Sequence, residues 1–219
     1  SANHDFQFMV EQDLAFASYI PYYFKKWIEQ IDTNVLPLVS KRIINNTCKI
    51  LNFNYTDTLE RAYKVPAENI LYIHGKALSS KKLVVGHHDI STFQYGAVSP
   101  FNAAEEHGIY IQDDDEDFRI TETKEIIKAY FQKTYKDTFG IIQMNQNFFD
   151  SLININEIFI LGHSLSSVDM DYFVEIRKRV LHSCKWYISY FSESDLDNME
   201  YFAKRLDIKN FQPVMLSNL

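Results

Sequence analysis

The chain has 219 residues, enough for one domain with a substantial core or for one domain that carries an insertion. Hydrophobic residues make up 46% of the sequence and aromatic residues 15%, values that exclude an intrinsically disordered chain. The net charge is −7, so the sequence lacks the basic surplus with which proteins bind phosphate backbones. We therefore expect no nucleic-acid partner.

The cysteines and the hydropathy pattern indicate the cellular compartment of the protein. Cys48 and Cys184 each lie beside or within an apolar strand-like run and form no C-x-x-C pair, which indicates buried thiols in a reducing compartment. No apolar stretch of membrane length and no signal peptide is visible. We expect a cytoplasmic protein without a membrane partner.

The apolar pattern changes along the chain from helical spacing to an alternation of strands and helices. Residues 4–45 are predicted to be helical, and Pro21 either opens a second helix in its first turn or kinks one long helix. Residues 121–152 are predicted to be helical, with two helices that meet near Gly140. The other predicted elements are strands at 48–53, 70–73, 83–85, 158–161, 186–191 and 211–216, and helices at 57–64, 169–181 and 195–206.

Near-continuous apolar strands separated by helices are typical of a parallel sheet that is covered on both faces. We therefore predict an α/β fold, a Rossmann-like, mostly parallel sheet with helices on both faces. Residues 1–219 are predicted to form a single domain, in which residues 90–152 are a helical insertion or cap.

Polar residues gather where the predicted strands end, which is where open parallel sheets bind ligands. Only six glycines occur in the chain, and three of them (Gly75, Gly86 and Gly162) fall at these ends beside a histidine. They predict one shared ligand site, unless they simply end their strands. The residues at the strand ends are Asn52, Asn54, Tyr55 and Thr56; His74 and Gly75; Gly86 to Asp89; and Gly162, His163 and Ser164, with Asp169 in the next helix.

A metal site and a nucleophile elbow fit these residues less well than a shared ligand site does. His87, His88 and Asp89 suggest a metal site, but neighbouring strand residues point to opposite faces and rarely share one ion, so no metal is expected. The run from Gly162 to Ser166 is similar to a G-x-S-x-G nucleophile elbow, but its fifth residue is Ser, and the one downstream histidine lies at a helix end. The Ser164 hydroxyl and amide are better suited to a phosphate or ribose at a helix start.

Two ordered motifs resemble the signatures of a bacterial phage-defence family. The run L-N-F-N-Y-T-D-T-L-E from Leu51 to Glu60, followed by Tyr63 and by I-H-G at 73–75, is very similar to the F-N-Y-T…L-E…Y…I-H-G signature of the abortive-infection AbiH family. The run from Gly162 to Leu165, with Asp169 and Tyr172, resembles that family's G-x-S-L…D…Y landmark. The resemblance spans residues 48–216 and implies an anti-phage role.

The same landmarks resemble, more distantly, those of sirtuin-like NAD-consuming domains. This resemblance implies a sirtuin-like fold, NAD as a substrate or ligand, and catalytic roles for Asn54 and His74. The nucleotide-binding residues that it implies are Asn52, Tyr55, Thr56, Gly75, Gly162, His163, Ser164 and Asp169.

The chain departs from these families in three ways. Thr56 stands where an N-Y-D motif has its acid, with Asp57 one place late. The opening strand and glycine-rich G-N-G-F-D loop of the family are missing from this chain, so we expect reduced or absent activity. No zinc module of true sirtuins is present, which makes protein deacylation remote.

Three functions follow as hypotheses. The first is an NAD glycohydrolase or related nucleotide-cleaving enzyme, in which Asn54 positions the ribose or a water and His74 accepts a hydroxyl proton. The second is a non-catalytic nucleotide-sensing or protein-interaction module of phage defence that uses the same residues and responds to a phage or host protein. The third is a metal-dependent hydrolase built on His74, His87, His88 and Asp89.

Overall fold

The computed structural model describes residues 2–37, 39–40, 42–86, 126, 129 and 134–218. The chain divides into two compact units, one made of Ser1–Lys26 and Val84–Lys136 and the other of Trp27–Leu83 and Asp137–Leu219. Most of the predicted insertion at 90–152 lies outside the described residues, so the insertion and the single-domain organisation stay predictions. None of the described helices is both long and apolar enough to cross a membrane.

The first helical region ends earlier than predicted. Helix α1 spans Ala2–Ser18 and helix α2 spans Ile20–Ile28, and Pro21 lies in the first turn of α2, as in one of the two predicted arrangements. The prediction of helix as far as residue 45 was wrong. The Asp32 carboxylate accepts a hydrogen bond from the Asn34 amide (2.8 Å), and such local bonds stabilise turns in competition with helix.

The strands described in the second unit form two parallel sheets. Their bounds are β1 (Ile50–Asn52), β2 (Ile70–Tyr72), β3 (Glu157–Ile160), β4 (Lys185–Tyr190) and β5 (Phe211–Met215). β1 pairs with β2, and the larger sheet has the order β3-β4-β5. The α/β class and the parallel pairing are confirmed. We expected one sheet, but β1 and β3 form no ladder with each other in the described chain. The presence of helices on both faces stays a prediction.

The predicted strand at 83–85 was wrong, because these residues have no regular secondary structure. The backbone at this point packs against the turn that follows β2: a Cβ placed on Gly75 would lie 3.1 Å from the Lys82 carbonyl oxygen. Lys82 and Leu83 therefore lie against that turn. Gly86 does not end a strand, and residues 87–89 lie outside the described residues.

The helices of the second unit alternate with its strands. They are α3 (Thr58–Arg61), α4 (Thr138–Met144), α5 (Gln146–Asp150), α6 (Met170–Arg179) and α7 (Ser194–Arg205), with 3₁₀ helices at Ala67–Asn69, Ser167–Asp169 and Leu216–Asn218. α4 and α5 meet at Asn145 and not near Gly140, which lies inside α4. The Asn145 side chain donates to the Ile141 carbonyl oxygen (2.7 Å), a local bond that competes with continued helix.

Helices α6 and α7 contribute to one apolar core with β4. Trp186 and Ile188 of β4 are buried, as are Phe173 of α6 and Phe202 of α7. The rings of Phe173 and Phe202 meet edge to face with their centroids 5.1 Å apart, a preferred aromatic geometry. This core anchors the segments that lead into and out of the ends of β3 and β4.

A buried polar cluster joins β1, α3 and β2. The Asp57 carboxylate accepts hydrogen bonds from the Thr33 hydroxyl (2.7 Å) and from the Arg61 guanidinium (2.7 Å). Burial raises the pKa of Asp57, but these hydrogen bonds and the charges of Arg61 and Lys76 outweigh burial, so the pKa lies below its usual value. Glu60 accepts a hydrogen bond from Lys76 (2.5 Å). The acidic residues of the first motif therefore hold a strand–helix–strand unit together.

Replacing Asp57 by Asn should destabilise the protein near neutral pH and have little effect in acid. A carboxyl group whose pKa is lowered by folding stabilises the folded state above its unfolded pKa, about 4, and that contribution is lost as the pH falls through the folded pKa. We expect Asp57→Asn to lower the free energy of unfolding by about 2 kcal/mol near neutral pH, as measured by urea unfolding. Asp150→Asn, at a carboxylate that is 48% exposed, is the matched control and should change little. An equal loss for Asp57→Asn at neutral and acid pH would contradict this prediction.

Candidate functional site

The turn after β1 is shaped by an asparagine side chain. The buried Asn52 side-chain oxygen accepts a hydrogen bond from the Asn54 amide (3.0 Å), which forms an Asx turn. The Tyr55 carbonyl oxygen accepts a second bond from the Ala77 amide (2.9 Å), which ties this turn to the segment after β2. Asn52 therefore orients the backbone here, while the Asn54 side chain is exposed.

The turn after β2 places His74 inside the protein. Gly75 has a φ of +87°, a left-handed conformation that favours glycine, and its amide closes the turn with a 3.0 Å hydrogen bond. His74 is only 5% exposed. Three aromatic rings surround its imidazole at centroid distances of 5.5, 6.0 and 5.8 Å, and they belong to Phe53, Tyr55 and Tyr172.

The loop after β3 is fixed by two hydrogen bonds of its own backbone. The Gly162 amide donates to the Ser189 hydroxyl on β4 (2.8 Å), and the Leu165 amide donates to Nδ1 of His163 (2.9 Å). Gly162 and Leu165 both have positive φ, +62° and +56°. Because Nδ1 accepts a bond, a neutral His163 ring carries its proton on Nε2. The loop and the His163 ring therefore hold each other in place.

Asp169 lies between the two histidines. His74 Nε2 is 3.3 Å from Asp169 Oδ1, and His163 Nε2 is 3.4 Å from Asp169 Oδ2. The Nε2–H of His163 therefore faces the carboxylate. All three side chains are 15% exposed or less, so water screens their interaction weakly. Since His74 follows β2 and His163 follows β3, this cluster connects the strand ends of the two sheets.

Phe53 is the packing centre of this cluster, and the sequence analysis missed it. Its ring centroid lies 4.5 Å from that of His163 and 5.5 Å from that of His74, and the ring stacks on Phe173 at 5.5 Å. In the sequence it is an ordinary apolar strand residue. Its position between two asparagines was the available signal.

Two tyrosines near Asp169 stay protonated. Burial raises the pKa of Tyr55, and the negative charge of Asp169 raises it further. The same two causes, in the same order, raise the pKa of Tyr172. Both side chains therefore keep a hydroxyl hydrogen near the carboxylate over the physiological pH range.

A pocket of about 270 Å³ opens at the ends of β3 and β4. Gly162, Ser164, Ser189 and Asp195 contribute to its lining. A Cβ placed on Gly162 would meet no atom within 4 Å, so the space above this loop is open. The volume approaches the lower end of the range typical of small-molecule sites, about 300 Å³, and suits part of a nucleotide. A larger cleft of about 390 Å³ beside α4 and α6 includes no strand-end residue in its lining.

The structure brings together part of the predicted site. Tyr55, His74, His163 and Asp169 form one cluster, and Gly162, His163 and Ser164 line the pocket. Among the described contacts, none links Asn54 or Thr56 to this cluster. The Asn54 side chain is exposed, and the Thr56 hydroxyl lies 3.0 Å from the hydroxyl of Thr58. Asn52 and Gly75 shape turns. The binding and catalytic roles of all these residues stay predictions.

Other elements of the site were harder to read from the sequence. Ser189 is a lone hydroxyl within the apolar run W-Y-I-S-Y-F, and Asp195 ends an S-E-S-D run typical of a helix start. These two features of the sequence could have identified Ser189 and Asp195 as residues of the site. Within the described ranges, no group of three His, Cys, Asp or Glu side chains is arranged to hold a metal ion. His87, His88 and Asp89, on which the metal hypothesis rested with His74, lie outside those ranges.

The two glycines with positive φ should respond differently to alanine. Gly162→Ala adds a methyl group to open space, so backbone strain alone should destabilise the fold, by about 1 kcal/mol. Gly75→Ala adds the same strain and also brings its Cβ to 3.1 Å from the Lys82 carbonyl oxygen. Urea unfolding should therefore show a larger loss of unfolding free energy for Gly75→Ala, and the reverse order would contradict these geometries.

Comparison with known proteins identifies a family for this chain. No curated protein and no solved structure matches the chain. The family model described as bacteriophage abortive infection AbiH matches residues 1–190, which is most of the chain and includes both sequence motifs and the cluster around Asp169. The chain therefore belongs to the bacteriophage abortive-infection AbiH family.

Proposed function

We propose that this chain supplies the nucleotide-binding site of a phage-defence protein and that NAD or a close analogue is its ligand. The pocket above Gly162, at the carboxyl ends of the parallel strands β3 and β4, carries this proposal. Parallel α/β sheets bind ligands at this edge because loop amides and helix N-termini face the space beyond the strands. Such a site serves a defence protein that senses or consumes a nucleotide during infection.

The groups that face the pocket suit the sugar and phosphate parts of a nucleotide. Ser164 is exposed and offers a hydroxyl, and the open space above Gly162 lets a ligand approach the backbone. His163 has a different part, because Nδ1 is bonded to the Leu165 amide and Nε2 faces Asp169. His163 therefore shapes the loop and does not offer a ring nitrogen to the ligand.

Charge placed in the pocket should weaken NAD binding. Ser164→Asp puts a carboxylate where the pyrophosphate of NAD would approach, and we expect at least about a ten-fold loss of affinity by isothermal titration calorimetry. Ser166→Asp adds the same charge to the same loop at an exposed position outside the pocket lining, and is the matched control. Equal losses for the two variants, or no NAD binding by the unmodified protein, would overturn the proposal.

The His74–Asp169 pair supports a second candidate, cleavage of NAD to nicotinamide and ADP-ribose. A water oxygen would bond to C1′ of the ribose while the C1′–N bond breaks, and nicotinamide would leave with the electron pair. The water proton would pass to His74, whose imidazolium form the nearby Asp169 carboxylate would stabilise. Asn54 would orient the ribose or the water. Because His74 is 5% exposed, turnover requires the side chains of Phe53, Tyr55 and Tyr172 to move away from it.

Mass spectrometry of NAD separates cleavage from binding. If the protein is a glycohydrolase, His74→Ala should lower the rate of nicotinamide release by about a hundred-fold or more, because a general base is lost. Asn54→Ala should lower the rate as well. His182→Ala changes an exposed histidine outside the site and should have no effect. Because turnover is expected to be reduced or absent without the glycine-rich loop, the assay uses the full-length protein. Unchanged NAD with that protein, together with measurable NAD binding, would reject cleavage and favour the sensing module.

A further inference from the structure

We infer that Asp195 makes the pocket at the ends of β3 and β4 selective for a nucleotide whose adenosine ribose keeps a free 2′-hydroxyl, against one with a 2′-phosphate. This selectivity rests on the proposed function, because it names the form of nucleotide that the same pocket would accept. NAD and NADP are the pair of ligands that differ in this group.

Asp195 is held in place with one oxygen available. It lies in the first turn of α7 and lines the pocket. Its Oδ2 accepts hydrogen bonds from the amides of Phe191 (3.0 Å) and Ser192 (2.9 Å) and from the Ser192 hydroxyl (3.2 Å). Within the described chain all of its hydrogen bonds go to Oδ2, so Oδ1 keeps its lone pairs for a donor that enters the pocket.

The pocket offers negative charge and no fixed positive charge. Hydrogen bonds from the Ser192 and Phe191 amides lower the pKa of Asp195, so its carboxylate is ionised at physiological pH. None of the described residues that line the pocket is Lys or Arg. A ribose hydroxyl can donate to the carboxylate, whereas a 2′-phosphate would meet a like charge with no side-chain cation beside it. Sites that accept the 2′-phosphate usually supply an arginine.

The neighbours of Asp195 suit the rest of an adenosine group. Phe191 lines the same pocket just after β4 and is 88% exposed, which leaves a ring face free for a base to stack on. Asn198 lies three residues after Asp195 on α7, on the same side of the helix, and also lines the pocket. A carboxylate for the sugar, an amide and an aromatic ring therefore lie around one opening.

Calorimetric titration with NAD and NADP tests this selectivity. The unmodified protein should bind NAD at least about ten-fold more tightly than NADP, a ratio that corresponds to roughly 1.4 kcal/mol. Asp195→Asn keeps the shape of the side chain and an oxygen for the amides of Phe191 and Ser192, but removes the charge. It should reduce the ratio to about three-fold or less. Asp197→Asn removes the same charge from the same turn of α7, at an exposed position outside the lining, and should keep the ratio.

Each outcome of this experiment is decisive. Equal affinities for NAD and NADP in the unmodified protein, or a preference that Asp195→Asn leaves intact, would overturn the selectivity and leave nucleotide binding standing. Binding of neither ligand would overturn both. Should Asp195→Asn fail to fold, competition against NAD on the unmodified protein gives the answer. Adenosine 2′-phosphate should then compete at least about ten-fold more weakly than adenosine 5′-phosphate, and equal competition would overturn the selectivity.

Discussion

The contact of the Asp169 carboxylate with two imidazole rings is the interaction around which the site is arranged. A carboxylate that is 15% exposed has lost most of its hydration, so protein groups must replace the water. His163 supplies an N–H whose direction is set by the bond between its other nitrogen and the Leu165 amide. His74 approaches from the other sheet at 3.3 Å. The segments after β2 and β3 are thereby held beside one another, with Phe53 packed between their rings.

The buried position of His74 separates the two functions proposed for the site. In the proposed function, part of a nucleotide occupies the pocket at the ends of β3 and β4 while His74 stays enclosed by its three aromatic neighbours. Proton transfer to His74 needs those rings to move, and so needs an event beyond the arrival of a ligand in the pocket. Under the proposed cleavage of NAD, the enclosure of His74 would keep the base away from the substrate until these side chains move.

Local patterns in the sequence predicted the order of the elements well, because apolar runs separated by amphipathic segments report directly on burial. The carboxyl ends of β1, β2 and β3 were placed to within about one residue, and with them the turns that contain His74, Gly162 and Ser164. Interactions between residues far apart in the sequence could not be predicted from local patterns. The bond from Thr33 to Asp57 joins residues that are 24 positions apart, and it lies where helix had been expected to continue. The division into two sheets likewise depends on which strand edges meet. The burial of His74 depends on the backbone of Gly75 and on three rings from two other segments.

Leu165 lies in the left-handed region with a φ of +56°, where a bulky side chain raises the energy of the backbone by about 1–2 kcal/mol. Glycine would remove this strain, yet the leucine side chain forms part of the wall of the pocket. At this position, glycine would favour the stability of the fold, whereas leucine favours a fully lined pocket. A laboratory selection for heat-resistant variants of this protein would favour glycine here and would widen the proposed binding pocket.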